Sequence, residues 1–196
     1  KEYTGRIRFG EATDSLDVTG AVTETAPPPP PEALTPGHLA GVAAEFRGDQ
    51  RQRPPMFSAV KRDGQRLYEL ARAGKVVERD ERPIYIEALE LTPVAAGGGT
   101  GGPELAFRVA CSKGTYVRVL ADEIARRLGS VGALAGLRRT RVGSLRVEDA
   151  ISLSEALERP TEDLPMLTPR MALAGLPAIP VSEPTAWALA AGQARG

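Results

Sequence analysis

The stretch RVACSKGTYVRVL, residues 108–120, joins a predicted β-strand to a predicted α-helix. Turn residues at 112–114 separate the two. After the turn, apolar residues recur at helical spacing from Val119 to Leu128, so we predict an amphipathic helix that ends near Gly129. Before the turn, apolar side chains alternate with more polar ones, as in a half-buried strand. These are Leu105, Phe107, Val109 and Cys111.

Tyr116 and Arg118 lie two residues apart just after this turn. If the chain is still extended there, both side chains point to the same side. An aromatic ring beside a guanidinium suits a flat, anionic ligand such as a nucleotide. A buried tyrosine and a surface arginine at an ordinary strand-to-helix junction explain the spacing equally well, so both interpretations stay open at this point.

The length and composition indicate a globular protein with one sizeable core. The 196 residues are 42% hydrophobic and 26% charged, and no apolar run approaches the length of a membrane span. The single cysteine excludes an internal disulfide and any multi-cysteine metal site, and it fits a reducing compartment. We therefore expect a cytoplasmic protein that does not contact membranes, and nothing in the sequence indicates an obligate oligomer.

The formal net charge is zero, but its distribution is uneven. Between Arg108 and Arg146, nine lysines and arginines stand against two acidic residues, so this segment is strongly positive. A concentrated positive segment can mark contact with a phosphate backbone. Solvated helix faces explain it as well.

The rest of the chain alternates between predicted strands, helices and irregular segments. We interpret 27–50 as an excursion from a sheet, 95–102 as a Gly-rich hairpin loop and the Pro-rich composition from Arg159 as a domain boundary. Strands are predicted at 3–9, 18–25, 56–60, 76–77, 83–91 and 145–150. Helices are predicted at 34–46, 67–74, 132–137, from Ser152 and at 182–189.

Four stretches together resemble one family, in order and in spacing. The sequence is similar to the TruB-type tRNA pseudouridine synthases, which isomerise the uridine at position 55 in the TΨC arm of tRNA. The stretches are Lys1–Tyr3 with FGEATDSLDVTG (9–20), PPMFSAVK (54–61) with Gly64 and LYE (67–69), CSKGTYVR (111–118) and LRRTRVG (137–143).

The resemblance implies an α+β protein with the pseudouridine synthase fold, in which helices and loops flank a mixed, mostly antiparallel central sheet. Residues 1–160 would form the catalytic domain, with its N-terminal part missing and a tRNA-clasping insertion at about 27–50. Residues 161–176 would be a linker. Residues 177–196 would begin a truncated PUA-like RNA-binding β domain.

The resemblance also implies roles for single residues. Tyr3 would pack its ring against the target base, and Tyr116 would contact the base in the same pocket. Arg118 would pair with the catalytic aspartate, Leu137 would form an apolar wall, and Asp17 with its loop would approach the flipped-out nucleotide. From their charge we further expect RNA contacts at four basic residues. These are Lys61, Arg138, Arg139 and Arg141.

Two departures from the family pattern matter. The family's nucleophilic aspartate lies in a GxLDxxATG-type motif upstream of Lys-x-Tyr, and the sequence begins at Lys1 without that motif, so we expect the chain to lack the nucleophile. The family also often has a histidine before Leu-Arg-Arg, where this chain has Ala133 and its neighbours.

The resemblance implies isomerisation without a cofactor or a metal, with the TΨC stem-loop of tRNA as the partner of a monomer. Two alternatives belong to other classes. One is an RNA-binding or tRNA-folding module without catalysis, and the other is a generic α+β domain whose arginines are only solvated.

Overall fold

The structure, a computed structural model, describes residues 1–62, 64–94 and 103–193. The predicted Gly-rich loop at 95–102 and the last three residues of the predicted PUA-like segment lie outside the described residues. The chain divides into two compact units. The first holds Lys1–Val142 with Arg146–Glu148, and the second holds Gly143–Leu145 with the residues from Asp149 onward.

Strands and helices are numbered in chain order. The strands are β1 (Glu2–Phe9), β2 (Glu11–Thr13), β3 (Val22–Thr25), β4 (Gly48–Gln52), β5 (Lys61–Arg62), β6 (Gln65–Arg66), β7 (Arg82–Pro93), β8 (Glu104–Cys111), β9 (Gly132–Val142) and β10 (Leu145–Arg146). The helices are α1 (Pro36–Glu45), α2 (Leu67–Arg72), α3 (Val117–Arg127), α4 (Leu153–Glu158), α5 (Pro169–Ala172) and α6 (Glu183–Ala190).

The first unit is organised around a six-stranded sheet in the order β10-β9-β1-β8-β7-β4. β1 pairs antiparallel with both β8 and β9, and β7 pairs antiparallel with β8 and β4. Two small two-stranded sheets, β2-β3 and β5-β6, accompany it. The α+β class and the mostly antiparallel sheet predicted from the sequence are confirmed.

The stretch at 108–120 forms the predicted strand and helix. Leu105, Phe107, Val109 and Cys111 on β8 are all buried, which confirms the alternation. α3 buries one face, formed by Val117, Leu120, Ala121, Ile124 and Ala125, against the same core. Gly129 follows the helix with φ at +82°, a left-handed conformation that glycine adopts without a Cβ clash, so the helix ends where the sequence predicted.

The helix within the segment 27–50 packs against the core. Leu39, Val42 and Ala43 of α1 are buried in the main hydrophobic cluster. The segment then runs into β4, whose residues pair with β7 from Gly48↔Ile86 onward. Its role in clasping tRNA stays a prediction.

Several local predictions were wrong. Residues 132–137 begin the strand β9 rather than a helix, because this Gly-Ala-Leu segment pairs with β1 along its length and tertiary pairing overrides its helix propensity. The strands predicted at 56–60 and 76–77 are irregular, and the one predicted at 18–25 is confined to β3. The strand predicted at 145–150 is reduced to two residues of β10, followed by a 3-10 turn at Val147–Asp149.

From Asp149 onward, the described residues of the second unit form short helices joined by irregular chain. α4 begins as predicted, because the Ser152 hydroxyl accepts a hydrogen bond from the Glu155 amide at 3.1 Å. α6 confirms the predicted helix at 182–189. Between residues 149 and 193 the structure has no β-strand, so the predicted PUA-like β domain is represented only by α6 and irregular chain.

Among the residues that the structure describes, none of the helices combines the length and the apolar character that a membrane crossing requires.

Candidate active site

Arg118 connects three segments of the first unit. It is the second residue of α3, and its Nη1 donates to the Ser15 carbonyl at 3.0 Å while its Nη2 donates to the Phe57 carbonyl at 2.8 Å. These acceptors lie 103 and 61 residues away in sequence. Within the described residues, Arg118 forms no ion pair with a carboxylate. The guanidinium therefore holds a loop on each side of α3.

Tyr116 lies immediately before α3 as its N-cap residue, with φ −94° and ψ 102°. Tyr116 itself is extended, but the helix begins at Val117, so the condition that the chain stays extended through Arg118 is not met. The Tyr116 carbonyl instead accepts the first helical amides, from Val119 and Leu120, both at 3.1 Å. Tyr116 and Arg118 are neighbours because both lie at the beginning of the same helix.

Gln52 makes two hydrogen bonds to the backbone of Tyr116. Its Oε1 accepts from the Tyr116 N–H at 2.7 Å, and its Nε2 donates to the Tyr116 carbonyl at 3.2 Å. Gln52 is 2% exposed at the end of β4. This residue was missing from the sequence-based prediction, since no local pattern links positions 64 residues apart. The polar side chain at the end of a strand was the only available signal.

Asp17 lies in a loop that docks on the edge of β9. It forms a parallel bridge with Leu134, and the backbone bonds Val18 N–H to Leu134 O at 3.1 Å and Leu134 N–H to Leu16 O at 3.0 Å secure the loop. The Asp17 carboxylate accepts from the Thr19 amide at 3.1 Å and from the Thr19 hydroxyl at 2.8 Å. This carboxylate therefore closes its own loop.

Tyr3 and Leu137 lie on the same face of the sheet. Cross-strand partners share a face, and the register pairs Tyr3 with Arg139 and Gly5 with Leu137. Tyr3 is half-buried against the main core, whereas Leu137 is 46% exposed. The structure thus places the two predicted pocket residues and Arg139 close together along β1 and β9.

Arg141 lies apart from this group. Its Nε is 3.7 Å from the Glu2 carboxylate. Glu2 precedes Tyr3 on β1, so the side chains of Glu2 and Tyr3 point to opposite faces of the sheet. Arg108 also pairs with Glu2, at 2.8 Å, and Thr140 donates to it at 2.9 Å. The Thr140 hydrogen bond, followed by Arg108 and Arg141, lowers the pKa of Glu2. Arg141 therefore already has a carboxylate partner.

The remaining predicted RNA contacts are exposed. Lys61 is exposed on β5, and Arg138 is exposed on β9. Near Lys61, Arg79 donates from Nη1 to the Pro54 carbonyl at 3.2 Å, and its buried Nε has no hydrogen-bond partner within the described chain. Burial, followed by nearby Arg53, lowers the pKa of Arg79. Arg79 was not among the residues predicted from the sequence.

These features define an α+β domain in which Arg118, at the start of α3, is hydrogen-bonded to the loops of Ser15 and Phe57. Residues 1–117 match the model for the TruB family pseudouridylate synthase (N terminal domain), which is more than half of the chain. The chain belongs to this family.

Curated relatives with the name tRNA pseudouridine synthase B match across most of this chain. The one from Opitutus terrae is 44% identical over 162 residues, which are 82% of this chain and 64% of the relative. The one from Aromatoleum aromaticum is 44% identical over 176 residues (89% and 54%), and the one from Bordetella avium is 41% identical over 180 residues (92% and 68%). The chain thus spans about half to two thirds of the length of these relatives.

Among solved structures, the crystal structure of a Cbf5-Nop10-Gar1 complex aligns with 75% of this chain and 31% of the matched chain. The sequence identity is 26% and the TM-score is 0.46.

Proposed function

We propose that the protein containing this chain isomerises uridine to pseudouridine at position 55 in the TΨC arm of tRNA. The observation that carries the proposal is the placement of Arg118, whose guanidinium is fixed at 3.0 and 2.8 Å between two loops. It lies within the CSKGTYVR stretch of a chain that belongs to the TruB family. The name shared by the curated relatives supports tRNA as the substrate.

The chemistry requires few protein groups. The C–N glycosidic bond breaks, the base turns, and a C–C bond forms between the same base and sugar, so atoms balance without net oxidation or reduction. This isomerisation requires neither a cofactor nor a metal. A carboxylate acts as nucleophile, on either the sugar or the base. The uridine must first leave the stack, because its sugar and base edge are otherwise out of reach.

We assign Tyr3 and Tyr116 to the base pocket. An aromatic ring retains a freed uracil while allowing it to turn in its plane, and stacking of this kind contributes about 1–3 kcal/mol per base. Leu137, on the same sheet face as Tyr3, adds an apolar wall. The half-buried position of Tyr3 leaves part of its ring accessible to a base.

We assign Arg118 as the ion-pair partner of the nucleophilic aspartate. A guanidinium has five N–H donors, and the two carbonyl contacts of Arg118 use two of them. The others are then available to a carboxylate, which a neighbouring guanidinium keeps ionised and oriented. The GxLDxxATG-type motif does not occur in the sequence, so we assign the nucleophile to a part of the protein outside it. We do not assign the nucleophile to Asp17, because it does not stand in a motif of that type.

We propose that the exposed basic residues Lys61, Arg138 and Arg139 contact the phosphate backbone of the RNA. Arg141 would contribute less, since Glu2 already neutralises it. We also propose that the protein acts as a monomer in the cytoplasm, which the buried free thiol of Cys111 supports.

The test uses the full-length protein and a TΨC stem-loop with 5-tritiated uridine at position 55. Conversion to pseudouridine replaces the hydrogen at C5, so tritium release reports turnover. A stem-loop tritiated at a different uridine is the control. We expect release only from position 55. Release from both substrates would refute the position, and tight binding without release from either would favour the non-catalytic RNA-binding module.

A further inference from the structure

The hydrogen bonds of Gln52 determine where Tyr116 lies. As N-cap residue, Tyr116 has no side-chain hydrogen bond that fixes the beginning of α3. The Gln52 amide occupies that place, since it bonds both the N–H and the carbonyl of Tyr116, at 2.7 and 3.2 Å. Two bonds to one peptide residue restrict its backbone angles, and the direction of the Tyr116 Cα–Cβ bond follows from them.

Gln52 also lies where the segments around Arg118 begin. It ends β4, where it pairs with Arg82 of β7. The chain then continues through residues 53–57 to the Phe57 carbonyl, which accepts from Arg118. One buried amide therefore fixes the distance between the end of β4 and the start of α3, the two segments that supply Phe57, Tyr116 and Arg118.

We propose that Gln52 is a positioning residue for the base pocket, which acts by holding Tyr116 and the first turn of α3 rather than by touching the RNA. This inference rests on the proposed function. The Gln52 side chain is 2% exposed, and both its amide oxygen and its amide nitrogen are hydrogen-bonded to Tyr116. Removing these hydrogen bonds would displace Tyr116, although every side chain proposed to contact the substrate would still be present.

The test compares Gln52→Leu with Gln50→Leu in the full-length protein. Leucine has nearly the volume of glutamine and cannot hydrogen-bond, so Gln52→Leu removes both bonds to Tyr116. Gln50 lies on the same strand, and its amide donates only to the carbonyls of Glu45 and Arg47, which makes Gln50→Leu the matched control. Turnover, stem-loop affinity and hydrogen exchange of the Tyr116 amide are measured for each variant.

We expect Gln52→Leu to lower kcat about 10- to 100-fold, since small misplacements of a binding group have effects of this size, while the Kd for the stem-loop stays within about threefold. Exchange of the Tyr116 amide should accelerate at least about tenfold, because its acceptor is gone. The Gln50→Leu control should match the unsubstituted protein in all three measurements. If Gln52→Leu does not fold, Gln52→Glu tests the second hydrogen bond alone. It loses the donor to the Tyr116 carbonyl and should lower kcat, whereas it retains an acceptor for the Tyr116 amide, whose exchange should stay unchanged.

Unchanged turnover in Gln52→Leu, or unchanged exchange at Tyr116, would overturn the inference. Equal losses in kcat and in stem-loop binding would also overturn it, because they would indicate general damage to the fold. Failure of the proposed function gives a different result. The unsubstituted protein would then release no tritium, and the positioning role would fail together with the proposed function.

Discussion

Replacing Arg118 with alanine tests whether this residue has a structural role as well as the proposed catalytic one. The side chain donates two charge-assisted hydrogen bonds, at 3.0 and 2.8 Å, to the carbonyls of Ser15 and Phe57. Hydrogen bonds to charged groups contribute about 1.5–3 kcal/mol each. Because both are part-buried and water can replace some of the bonding, we expect Arg118→Ala to lower the free energy of unfolding by about 2–4 kcal/mol in total.

Urea unfolding of the full chain, followed by far-UV circular dichroism, measures this change. Lys113→Ala is the matched control, since Lys113 is an exposed cation in the same turn, and its removal should change the unfolding free energy by less than about 0.5 kcal/mol. In the full-length protein, Arg118→Ala should also lower kcat by about 100-fold or more, with a much smaller change in RNA affinity.

The unfolding free energy tests the structural role of Arg118, and kcat tests its proposed catalytic role. An unfolding free energy for Arg118→Ala equal to that of the control would mean that the two carbonyl contacts do not hold the loops. Arg118→Lys refines the result, because an ammonium keeps the charge but lacks the planar fork that reaches two acceptors. We expect this variant to recover part of the stability and little of the turnover, and full recovery of turnover would refute a requirement for the planar guanidinium.

Two further predictions concern the first unit. Burial, followed by neighbouring carboxylates, raises the pKa of Glu123 from 4.5 to about 7, so between these values the folded chain binds more protons than the unfolded one and its stability falls as the pH rises. Glu123→Gln should remove this fall and stabilise the chain above pH 7 by about 1–2 kcal/mol, given partial exposure to solvent; urea unfolding at pH 5 and 8 checks it, and an unchanged pH dependence would contradict it. A Cβ at Gly5 would lie 2.6 Å from the Gly136 carbonyl and collide with the Phe107 ring, so Gly5→Ala should lower the unfolding free energy by about 1–3 kcal/mol. Gly41→Ala, with nothing within 4 Å, should be neutral or stabilising, and equal stability of the two variants would refute the packing argument.

Local periodicity was sufficient to predict β8 and α3, because the apolar residues of their buried faces recur at strand and helix spacing within a short stretch of sequence. It failed at β9, where the Gly-Ala-Leu run at 132–137 has no alternation that distinguishes strand from helix. What decides the structure there is contact with β1: a Cβ at Gly132 would lie 2.8 Å from the Arg8 carbonyl, so the two strands approach closely at this glycine. Such a contact between distant residues leaves no signal in the local pattern.

The resemblance to a family identified the stretches that form the site but not how they are held. It assigned Tyr116 to the base pocket and Arg118 to the catalytic aspartate, and both residues lie at the start of α3. Charge assigned Arg141 to RNA together with Arg138 and Arg139, whereas Arg141 pairs with Glu2. The difference arises because the register between β1 and β9 shifts at Glu2, which places Arg141 opposite this carboxylate, and single-sequence patterns do not reveal such a shift.

The contacts that assemble the site end on backbone atoms. Arg118 binds the carbonyls of Ser15 and Phe57, and Gln52 binds the N–H and the carbonyl of Tyr116. Every residue type at an acceptor position supplies a carbonyl, so the identities of Ser15 and Phe57 carry no trace of these bonds, and only the side chains of Arg118 and Gln52 are chemically specified. The candidate site therefore depends on the paths of three distant segments, which the sheet and α3 must bring together.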